Sequence, residues 1–370
     1  MRRFPTRLTA VASVLGSMIL LAACGASGTT SSSPSGSASA YLATAQQKVS
    51  QHVPIPTQIL QTEKYTPTAG KLIYNISCSL AIVGCQQISQ NIGKAAVAAG
   101  EQFKACDAGT TPVQANGCFT NAVNAKADAI VVNAVGANQA GIGYQAAAAA
   151  GIPIFGVFTG NDPGAPGVKS EVAGTACQDE AALVADYIMV KKNGQAKTLM
   201  AGEQTLSCDT LRVSSFHSEI SKCSSCTVAD VTFDLSTMTS DLPRKVTAAL
   251  TAHPDANYIV GVFDQVSKIA ATAAQQAARQ ISVAGMDANP SNLQDIAGGG
   301  LQNVDITVGQ GEVAWAGVDA AVRVISGKTV PAITPVNYWI IDTTNISQVP
   351  ANGFLGPAGY EAQFKALWGK

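Results

Sequence analysis

The chain contains 370 residues with a formal net charge of −1, and only 13% of them are charged, about half the share of a typical soluble domain. The sequence shows no basic patch and no DNA- or RNA-binding motif, so nucleic acid is excluded as an expected partner. The length suggests two domains.

The first segment in chain order is typical of a bacterial export signal. Three arginines lie within the first seven residues, and the apolar stretch that follows, from Leu8 to Ala23, is short for a full membrane span. The tetrapeptide Leu21-Ala22-Ala23-Cys24 resembles the lipobox of bacterial lipoproteins, which implies cleavage before Cys24 and lipidation of that cysteine. A plain signal peptide with a chance cysteine is the alternative. We therefore expect residues 1–23 to be a lipoprotein signal peptide, with the mature protein lipid-anchored on the extracytoplasmic face of the cell membrane.

Residues 24–68 are predicted to form a lipidated Ser/Gly-rich tether followed by a lead segment. The stretch from Gly25 to Ala40 consists almost entirely of Gly, Ser, Thr and Ala, a composition that behaves as a flexible linker. A short helix is predicted at 43–50, and prolines at 54, 56 and 67 prevent a longer one.

Eight cysteines follow Cys24, and an even number in an exported protein predicts disulfide bonds. Proximity favours Cys78–Cys85, Cys106–Cys118 and Cys223–Cys226, which leaves Cys177–Cys208. The spacing Cys223-Ser-Ser-Cys226 also occurs in redox and zinc sites. A thioredoxin-like redox motif opens a helix after a strand, and a zinc site needs a second pair of ligands. Neither context is found in this sequence. We predict a structural disulfide in a turn between a helix and a strand, with no metal and no cofactor.

From Lys71 onward, short apolar runs alternate with helical stretches. The first series predicts strands at 72–76, 129–132 and 152–158 and helices at 88–104 and 137–150. After turn residues at 161–167, the second series predicts strands at 198–201, 227–233, 258–263, 282–286, 305–308 and 337–341 and helices at 179–191, 210–221, 242–252, 267–278 and 313–325. This rhythm predicts an α/β fold with two doubly wound parallel-sheet lobes. Ligands of such sheets bind outside the carboxyl ends of the strands, so we expect a site in the cleft between the lobes.

The second lobe carries a more specific pattern. Its segments Leu250-Thr-Ala-His-Pro-Asp255, Phe263-Asp264, Val283-Ala-Gly-Met-Asp287 and Ile306-Thr-Val-Gly-Gln310 resemble the type I solute-binding proteins, particularly the ribose-binding branch. The resemblance covers roughly residues 71–341. It implies a receptor that hands a small polar ligand, usually a sugar, to the permease and ATPase of an ABC importer, and we expect a monomer.

The resemblance also implies three hinge crossings between the lobes. We expect the N-terminal lobe to contain residues 69–173 and 311–336, and the C-terminal lobe residues 174–310 and 337–370. The hinge candidates are 173–175, 309–311 and 335–337.

Carried over position by position, the resemblance implies ten ligand-binding residues. They are Gln86, Gln87, Asn133, Phe158, Thr159, Arg212, Phe263, Asp264, Asp287 and Gln310. Several of these residues have a second interpretation. Asp264 and Asp287 are also suited to cap the helices that follow them. Phe158 is also suited to the core, and Asn133 is also suited to shape its turn.

This set departs from the family pattern in ways that affect the ligand. Phe263 replaces an asparagine, Phe158 and Thr159 replace an Asp-Arg pair, and Gln86 and Gln87 stand where two stacking aromatics usually lie. The cleft is therefore predicted to be more apolar than that of a ribose receptor. We hypothesise a neutral ligand with fewer hydroxyls than a free pentose, such as a deoxy, methylated or aglycone-bearing sugar, or a non-sugar.

Two other classes of function compete with this interpretation. An enzyme is disfavoured because the three histidines are scattered and no Ser/His/Asp arrangement or phosphate loop is present. A ligand sensor that acts on a membrane signalling partner remains open, since it needs the same closure about hinges.

Overall fold

Two six-stranded sheets organise the part of the chain that the computed structural model describes, which is residues 36–161, 164–350 and 353–370. The predicted signal peptide, Cys24 and most of the predicted tether lie outside the described residues. Within the described residues, no helix combines the length and apolar character needed to span a membrane.

The strands, in chain order, are β1 (Leu72–Ser77), β2 (Gln102–Asp107), β3 (Ala129–Asn133), β4 (Ile154–Val157), β5 (Val168–Val172), β6 (Lys197–Gly202), β7 (Thr227–Thr232), β8 (Tyr258–Gly261), β9 (Ser282–Met286), β10 (Gln302–Val308), β11 (Ile333–Thr334) and β12 (Tyr338–Asp342). The α-helices are α1 (Gly36–His52), α2 (Val83–Ala99), α3 (Pro112–Asn124), α4 (Ala137–Ala149), α5 (Ala176–Lys191), α6 (Ser207–Ile220), α7 (Met238–Ala252), α8 (Asp264–Gln276), α9 (Pro290–Ala297), α10 (Gln310–Ile325) and α11 (Tyr360–Leu367).

The first sheet has the order β11-β5-β4-β3-β1-β2, and every neighbouring pair in it is parallel. Its central strands β3 and β4 are buried along their whole length, as expected for strands covered on both faces. One face packs against α2, α10 and α11, and the other against α3 and α4. The first sheet is therefore doubly wound.

The second sheet has the order β12-β10-β9-β8-β6-β7. All its pairs are parallel except β10 with β12, which is antiparallel. Helices α5 to α8 contribute to a single large apolar core with these strands. The α/β class with two doubly wound, mainly parallel sheets is confirmed.

The chain passes between the sheets at four places after β1. Three of them, the segments that follow β5, β10 and β11, contain the three expected hinge candidates, and the fourth leads from β12 back to α11 in the core of the first sheet. The boundaries of the two lobes stay a prediction. The last helix, α11, lies against α10, where the Trp368 ring stacks on Trp315 with ring centroids 5.5 Å apart.

The predicted helix at 88–104 is wrong at both ends. Helix α2 begins at Val83 and ends at Ala99, because Gly100 adopts a left-handed conformation with φ of 91° and its N–H bonds to Ala96 and Val97. Strand β2 then occupies 102–107 at the edge of the sheet. An edge strand exposes most of its side chains, so it lacks the apolar run by which the other strands are recognised.

Several further elements were not predicted: α3, β5, α9, β11 and α11. Helix α3 had a start signal, since Thr111 caps it by accepting the N–H of Gln114 and Pro112 follows in its first turn. Helices α6 and α8 also begin earlier than predicted, at Ser207 and Asp264. The early start of α6 places Cys208 and Asp209 in its first turn.

Four disulfides form in the pairs that proximity predicts: Cys78–Cys85, Cys106–Cys118, Cys177–Cys208 and Cys223–Cys226. The first three connect the end of β1 to α2, β2 to α3, and α5 to α6. The fourth lies in the turn between α6 and β7, as expected for a structural staple.

Candidate ligand-binding cleft

A cavity lies between the two sheets, at the carboxyl ends of their strands. Asn133 and Phe158 reach it at the ends of β3 and β4 in the first sheet, and Phe263 and Asp287 reach it just beyond β8 and β9 in the second. The space between protein atoms is about 460 Å³, the open mouth included. The cavity therefore occupies the place at which doubly wound sheets bind small molecules.

Arg212 is the central charged residue of the cavity wall. Its Nη2 donates to Glu180 Oε2 at 2.6 Å and to Asp287 Oδ1 at 2.9 Å, and its Nη1 donates to the carbonyl of Val262 at 3.0 Å. All of these side chains are buried or nearly so. The arginine extends from the second turn of α6 and is held against α5 and the end of β9.

The charges around Arg212 include more carboxyl groups than cations. Burial raises the pKa of the Glu180 and Asp287 carboxyls, and Arg212 opposes that rise. Burial, followed by the nearby Glu203 carboxyl, raises the pKa of Asp209 well above its usual range. Burial lowers the pKa of Arg212, but its carboxylate neighbours raise it by more, so the guanidinium stays charged.

Within the described residues, four atoms on the cavity wall have no hydrogen-bond partner. They are Asn133 Oδ1, Asp209 Oδ2, Arg212 Nε and Gln310 Oε1, all on residues that are almost completely buried. The orientation of Asn133 is fixed, because its Nδ2 donates to the hydroxyl of Ser77 and to the carbonyl of Cys85, which only accepts. A buried polar atom without a partner costs free energy, so these atoms indicate where a ligand makes its hydrogen bonds.

The rest of the wall is apolar. It consists of the side chains of Ile82, Ile88, Ala134, Phe158, Leu206 and Phe263, together with the disulfide cysteines Cys78, Cys85 and Cys208. The cavity thus has a polar part around Arg212 and an apolar part. A molecule that fills both needs hydrogen-bonding groups together with an apolar surface.

Backbone strain accumulates at this wall. Ala134, Phe158 and Asp287 directly follow strands β3, β4 and β9, and these three residues have positive φ angles of 53°, 54° and 112°. Residues with a side chain rarely adopt this conformation, and it persists where surrounding contacts enforce it, often at functional sites.

The turn that carries Asp287 is held from behind by a buried polar network. The N–H of Ala288 donates to Asp305 Oδ1 at 2.9 Å and the N–H of Asn289 donates to Asp264 Oδ2 at 2.5 Å. Gln302 Nε2 donates to both carboxyl groups, at 3.3 Å to Asp264 and 3.0 Å to Asp305. The network orients the turn and, through it, the Asp287 carboxylate.

The structure brings six of the ten sequence-predicted residues to the cavity wall: Asn133, Phe158, Arg212, Phe263, Asp287 and Gln310. The other four do not line it. The side chain of Asp264 belongs to the network behind Asp287, and Thr159 donates to the buried Glu171. Gln86 is exposed and Gln87 half-buried. The ligand-binding roles of all ten stay a proposal.

The position of the two glutamines has a simple geometric reason. The Cys78–Cys85 disulfide fixes the first turn of α2 with Cys85 on the cavity. Residues three apart share a helix face, so Ile88 follows Cys85 to the wall and residues 86 and 87 turn away.

Asp209 is the main polar residue of the cavity wall that the sequence analysis missed. It lies one turn before Arg212 on the same face of α6 and lines the cavity. The three-residue spacing was a usable signal. It was missed because α6 was expected to begin at 210.

The two sides of the cleft touch each other. Ser207 of α6 donates to Asn138 Oδ1 of α4 at 2.6 Å, and the N–H of Val83 donates to Gln265 Oε1 at 3.4 Å. A Cβ placed on Gly84 would lie 3.1 Å from Gln310 Nε2 and 3.6 Å from Asp287 Oδ2. The structure therefore represents a closed cleft.

A buried carboxyl group lies at two of the expected hinges. Glu312, in the first turn of α10, accepts from Asn337 Nδ2 at 2.8 Å through Oε1, while its Oε2 has no partner among the residues that the structure describes. Burial raises the pKa of Glu312 to about 8, and Asn337 opposes the rise. The carboxyl is therefore protonated in the folded protein at neutral pH.

Glu312 should make stability depend on pH. Because its folded pKa lies above its unfolded value, the stabilisation is fully present below about pH 4.5 and is lost as pH rises toward 8. We expect Glu312→Gln, which imitates the protonated group, to melt at the same temperature as the native chain near pH 4.5. At pH 8 the Glu312→Gln variant should be more stable than the native chain by a few kcal/mol, since each unit by which folding raises the Glu312 pKa corresponds to roughly 1.4 kcal/mol. Thermal denaturation between pH 4.5 and pH 8 checks this prediction, with Asp255→Asn at an exposed position as the control. If the melting temperatures of the native chain and of Glu312→Gln changed equally with pH, the prediction would be contradicted.

No group of three or more His, Cys, Asp or Glu side chains is arranged to hold a metal ion within the described ranges 36–161, 164–350 and 353–370. The three histidines lie apart from the cavity wall.

Solved structures with the same fold include several proteins of ABC and sugar transporters. An ABC transporter solute-binding protein from Agrobacterium vitis, bound with α-D-tagatopyranose, is 21% identical over 76% of this chain and 97% of its own, with a TM-score of 0.67. A 5-methylthioribose transporter solute-binding protein from Thermotoga lettingae, in complex with 5-methylthioribose, is 15% identical over 82% and 99%, with a TM-score of 0.72. A sugar ABC transporter protein from Yersinia enterocolitica is 15% identical over 84% and 99%, with a TM-score of 0.70.

At the sequence level, no match was found among curated proteins. The periplasmic binding protein domain family does match, over residues 77–329, which is more than half of the chain. The resemblance to type I solute-binding proteins is thereby confirmed, and the chain belongs to the periplasmic binding protein domain family.

Proposed function

We propose that this protein is an extracytoplasmic solute-binding lipoprotein that captures a small neutral sugar or sugar derivative between its two sheets and delivers it to an ABC importer. The observation that carries the proposal is the cavity at the carboxyl ends of both sheets, with unpartnered hydrogen-bonding atoms on Asn133, Asp209, Arg212 and Gln310. Membership of the family supports the role of receptor.

The polar part of the cavity supports a hydroxylated ligand. Asn133 and Gln310 supply acceptors and Arg212 Nε supplies a donor, and a sugar hydroxyl is able both to donate and to accept. The Arg212 charge is already matched by Glu180 and Asp287, so a ligand carboxylate has no free cation to bind there. A neutral polyol fits this arrangement.

The apolar part of the cavity limits the class of sugar that fits. Phe158, Phe263, Ile82 and Ile88 offer no hydrogen bonds, so a hydroxyl buried against them would lose its bonds to water. A sugar that carries an alkyl or alkylthio group in place of one hydroxyl avoids this cost. The relative from Thermotoga lettingae, bound to 5-methylthioribose, supports the same class of ligand.

We further propose that Cys24 is lipidated, that the protein acts as a monomer and that its partners are the permease and ATPase of the importer. The lipobox-like tetrapeptide at 21–24 supports the anchor. Receptors of this kind close on their ligand by hinge motion, and the three crossings that contain the hinge candidates provide such hinges.

A thermal-shift screen of the full chain tests the proposal. We expect 5-methylthioribose to raise the melting temperature more than ribose, tagatose or allitol, because its methylthio group fills the apolar part of the cavity. A ligand that binds only the folded state adds about 2.7 kcal/mol at a hundredfold excess over Kd. A best response to plain ribose would contradict the apolar assignment, and no response to any of the four would contradict the sugar-receptor proposal.

A further inference from the structure

The segment before β1 contacts both sheets. Residues 36–70, here called the N-terminal strap, consist of α1 followed by an extended stretch. The match to the family domain begins only at residue 77. The strap therefore lies outside the part of the chain that the family accounts for.

One end of the strap is fixed to the helices of the second sheet. Val49 is buried in the core that contains α5 and α6. Tyr41 donates to Asp186 at 2.7 Å, and Lys48 Nζ lies 3.0 Å from Asp186 and 2.9 Å from Glu219. Helix α1 is thus held by both apolar packing and paired charges.

The middle of the strap runs along the third crossing between the sheets. The carbonyl of Val53 accepts from Trp339 Nε1 at 2.8 Å, beside the second sheet. Asn337 Nδ2 donates to the carbonyl of Gln58 at 2.9 Å, and Gln61 Nε2 donates to the carbonyl of Pro335 at 2.9 Å. Asn337 also donates to Glu312, the residue that directly follows the hinge candidate 309–311.

The other end of the strap is fixed to α10, which packs on the first sheet. Tyr65 is buried in that core, and its hydroxyl donates to Asp319 Oδ1 at 3.1 Å. The Arg323 guanidinium lies over the Tyr65 ring at 4.3 Å and donates to the carbonyl of Glu63 at 2.6 Å. The N–H of Tyr65 donates to the carbonyl of Leu367 in α11 at 2.8 Å. Both ends are therefore anchored independently of the crossing.

We propose that the N-terminal strap is a further connection between the two sheets, beyond those made after β1, and limits how far they separate when the cleft opens. A segment anchored on both moving bodies must stretch or lose contacts if they rotate apart. Each lost contact favours the closed arrangement, so the strap shifts the population toward closure. Because apparent affinity scales with the binding-competent fraction, this restraint would tighten binding of whatever ligand the cleft takes.

The test cuts the strap and measures the separation of the sheets without any ligand. A specific protease site is inserted after the exposed Pro54, and a control site after Asp255 in the exposed loop between α7 and β8. Spin labels are placed at Ile142 of α4 and Ser214 of α6, both exposed, on the helices whose first turns meet across the cleft. A ketone-bearing amino acid carries the labels, which leaves the disulfides intact. Distances are measured by pulsed electron paramagnetic resonance before and after cleavage.

We expect cleavage after Pro54 to add a population at longer distance and cleavage after Asp255 to leave the distribution unchanged. An unchanged distribution after the Pro54 cut, or an equal change at both sites, would overturn the proposal. If the insertion prevents folding, the double variant Tyr41→Phe/Lys48→Met loosens the α1 anchor instead, with Lys245→Met, which removes a surface ion pair with Asp241, as control. The result does not depend on the identity of the ligand, so it succeeds or fails separately from the sugar-receptor proposal.

Discussion

Replacing Arg212 by methionine should abolish binding of the ligand and lower the free energy of unfolding by about 3–5 kcal/mol at pH 8. The substitution keeps much of the side-chain volume but removes the charge that Glu180 and Asp287 share. These buried carboxylates would be left unpaired, and the cavity would lose the Nε donor. The loss of stability should shrink as pH falls, because the carboxyl groups then bind protons and need no partner.

The matched control is Arg244→Met. Arg244 also pairs with an aspartate, Asp241 at 2.6 Å, but 78% of its side chain is exposed. A surface pair of this kind contributes at most about 1 kcal/mol. Denaturant unfolding and ligand titration of both variants measure the two effects. If Arg212→Met unfolded like Arg244→Met and still bound ligand, the central role of Arg212 would be wrong.

Gly285→Ala should be a strongly disruptive small substitution near the site. A Cβ at this position would lie 2.3 Å from Asp264 Oδ1, 2.3 Å from Gln302 Nε2 and 2.8 Å from Asp305 Oδ2. These atoms form the network that orients the Asp287 turn, so the methyl group forces them apart. Overpacking costs about 1–3 kcal/mol, and we expect ligand affinity to fall at least tenfold as Asp287 moves.

Gly117→Ala is the control for this change. Gly117 lies in α3, and a Cβ there meets no atom within 4 Å besides its chain neighbours and the backbone of its own helix. Alanine is a better helix former than glycine by about 1 kcal/mol, so this variant should be slightly more stable and bind normally. Chemical denaturation distinguishes the two variants. Equal stability of Gly285→Ala and the native chain would contradict the clash.

Strands buried on both faces were the easiest elements to predict. The strand at 282–286 was placed at its observed bounds, and β3 within one residue, because each is a continuous apolar run between turn residues. The exposed edge strand β2 and the two-residue strand β11 were missed. The edge strand β7, which is also largely exposed, was predicted within one residue because its valines and threonines favour a strand.

In the candidate site, residues that follow strands were predicted more reliably than residues on helices. Residues directly after strands, such as Asn133 and Asp287, were placed at the cavity because the topology brings strand ends together. Positions on helices depended on where each helix begins, and the first turns of both α2 and α6 carry a disulfide cysteine. Three residues of error in α6 hid Asp209, and the rotation of α2 turned Gln86 and Gln87 away from the cavity.

Polar residues of the network behind Asp287 could not be assigned from sequence alone. Asp264 looked equally suited to a ligand or to a helix cap, and it became a support because Asn289 and Gln302 approach it from loops distant in sequence. Such contacts depend on the packed tertiary structure.

Calorimetric titration of the full chain with 5-methylthioribose, ribose, tagatose and allitol tests the central claim most directly, since it reports both affinity and stoichiometry. A single cleft predicts one bound molecule per chain for at least one of these sugars, with 5-methylthioribose the tightest and no measurable heat of binding for Arg212→Met. Absence of binding for all four sugars, or binding that Arg212→Met leaves unchanged, would contradict a sugar receptor that uses this cavity.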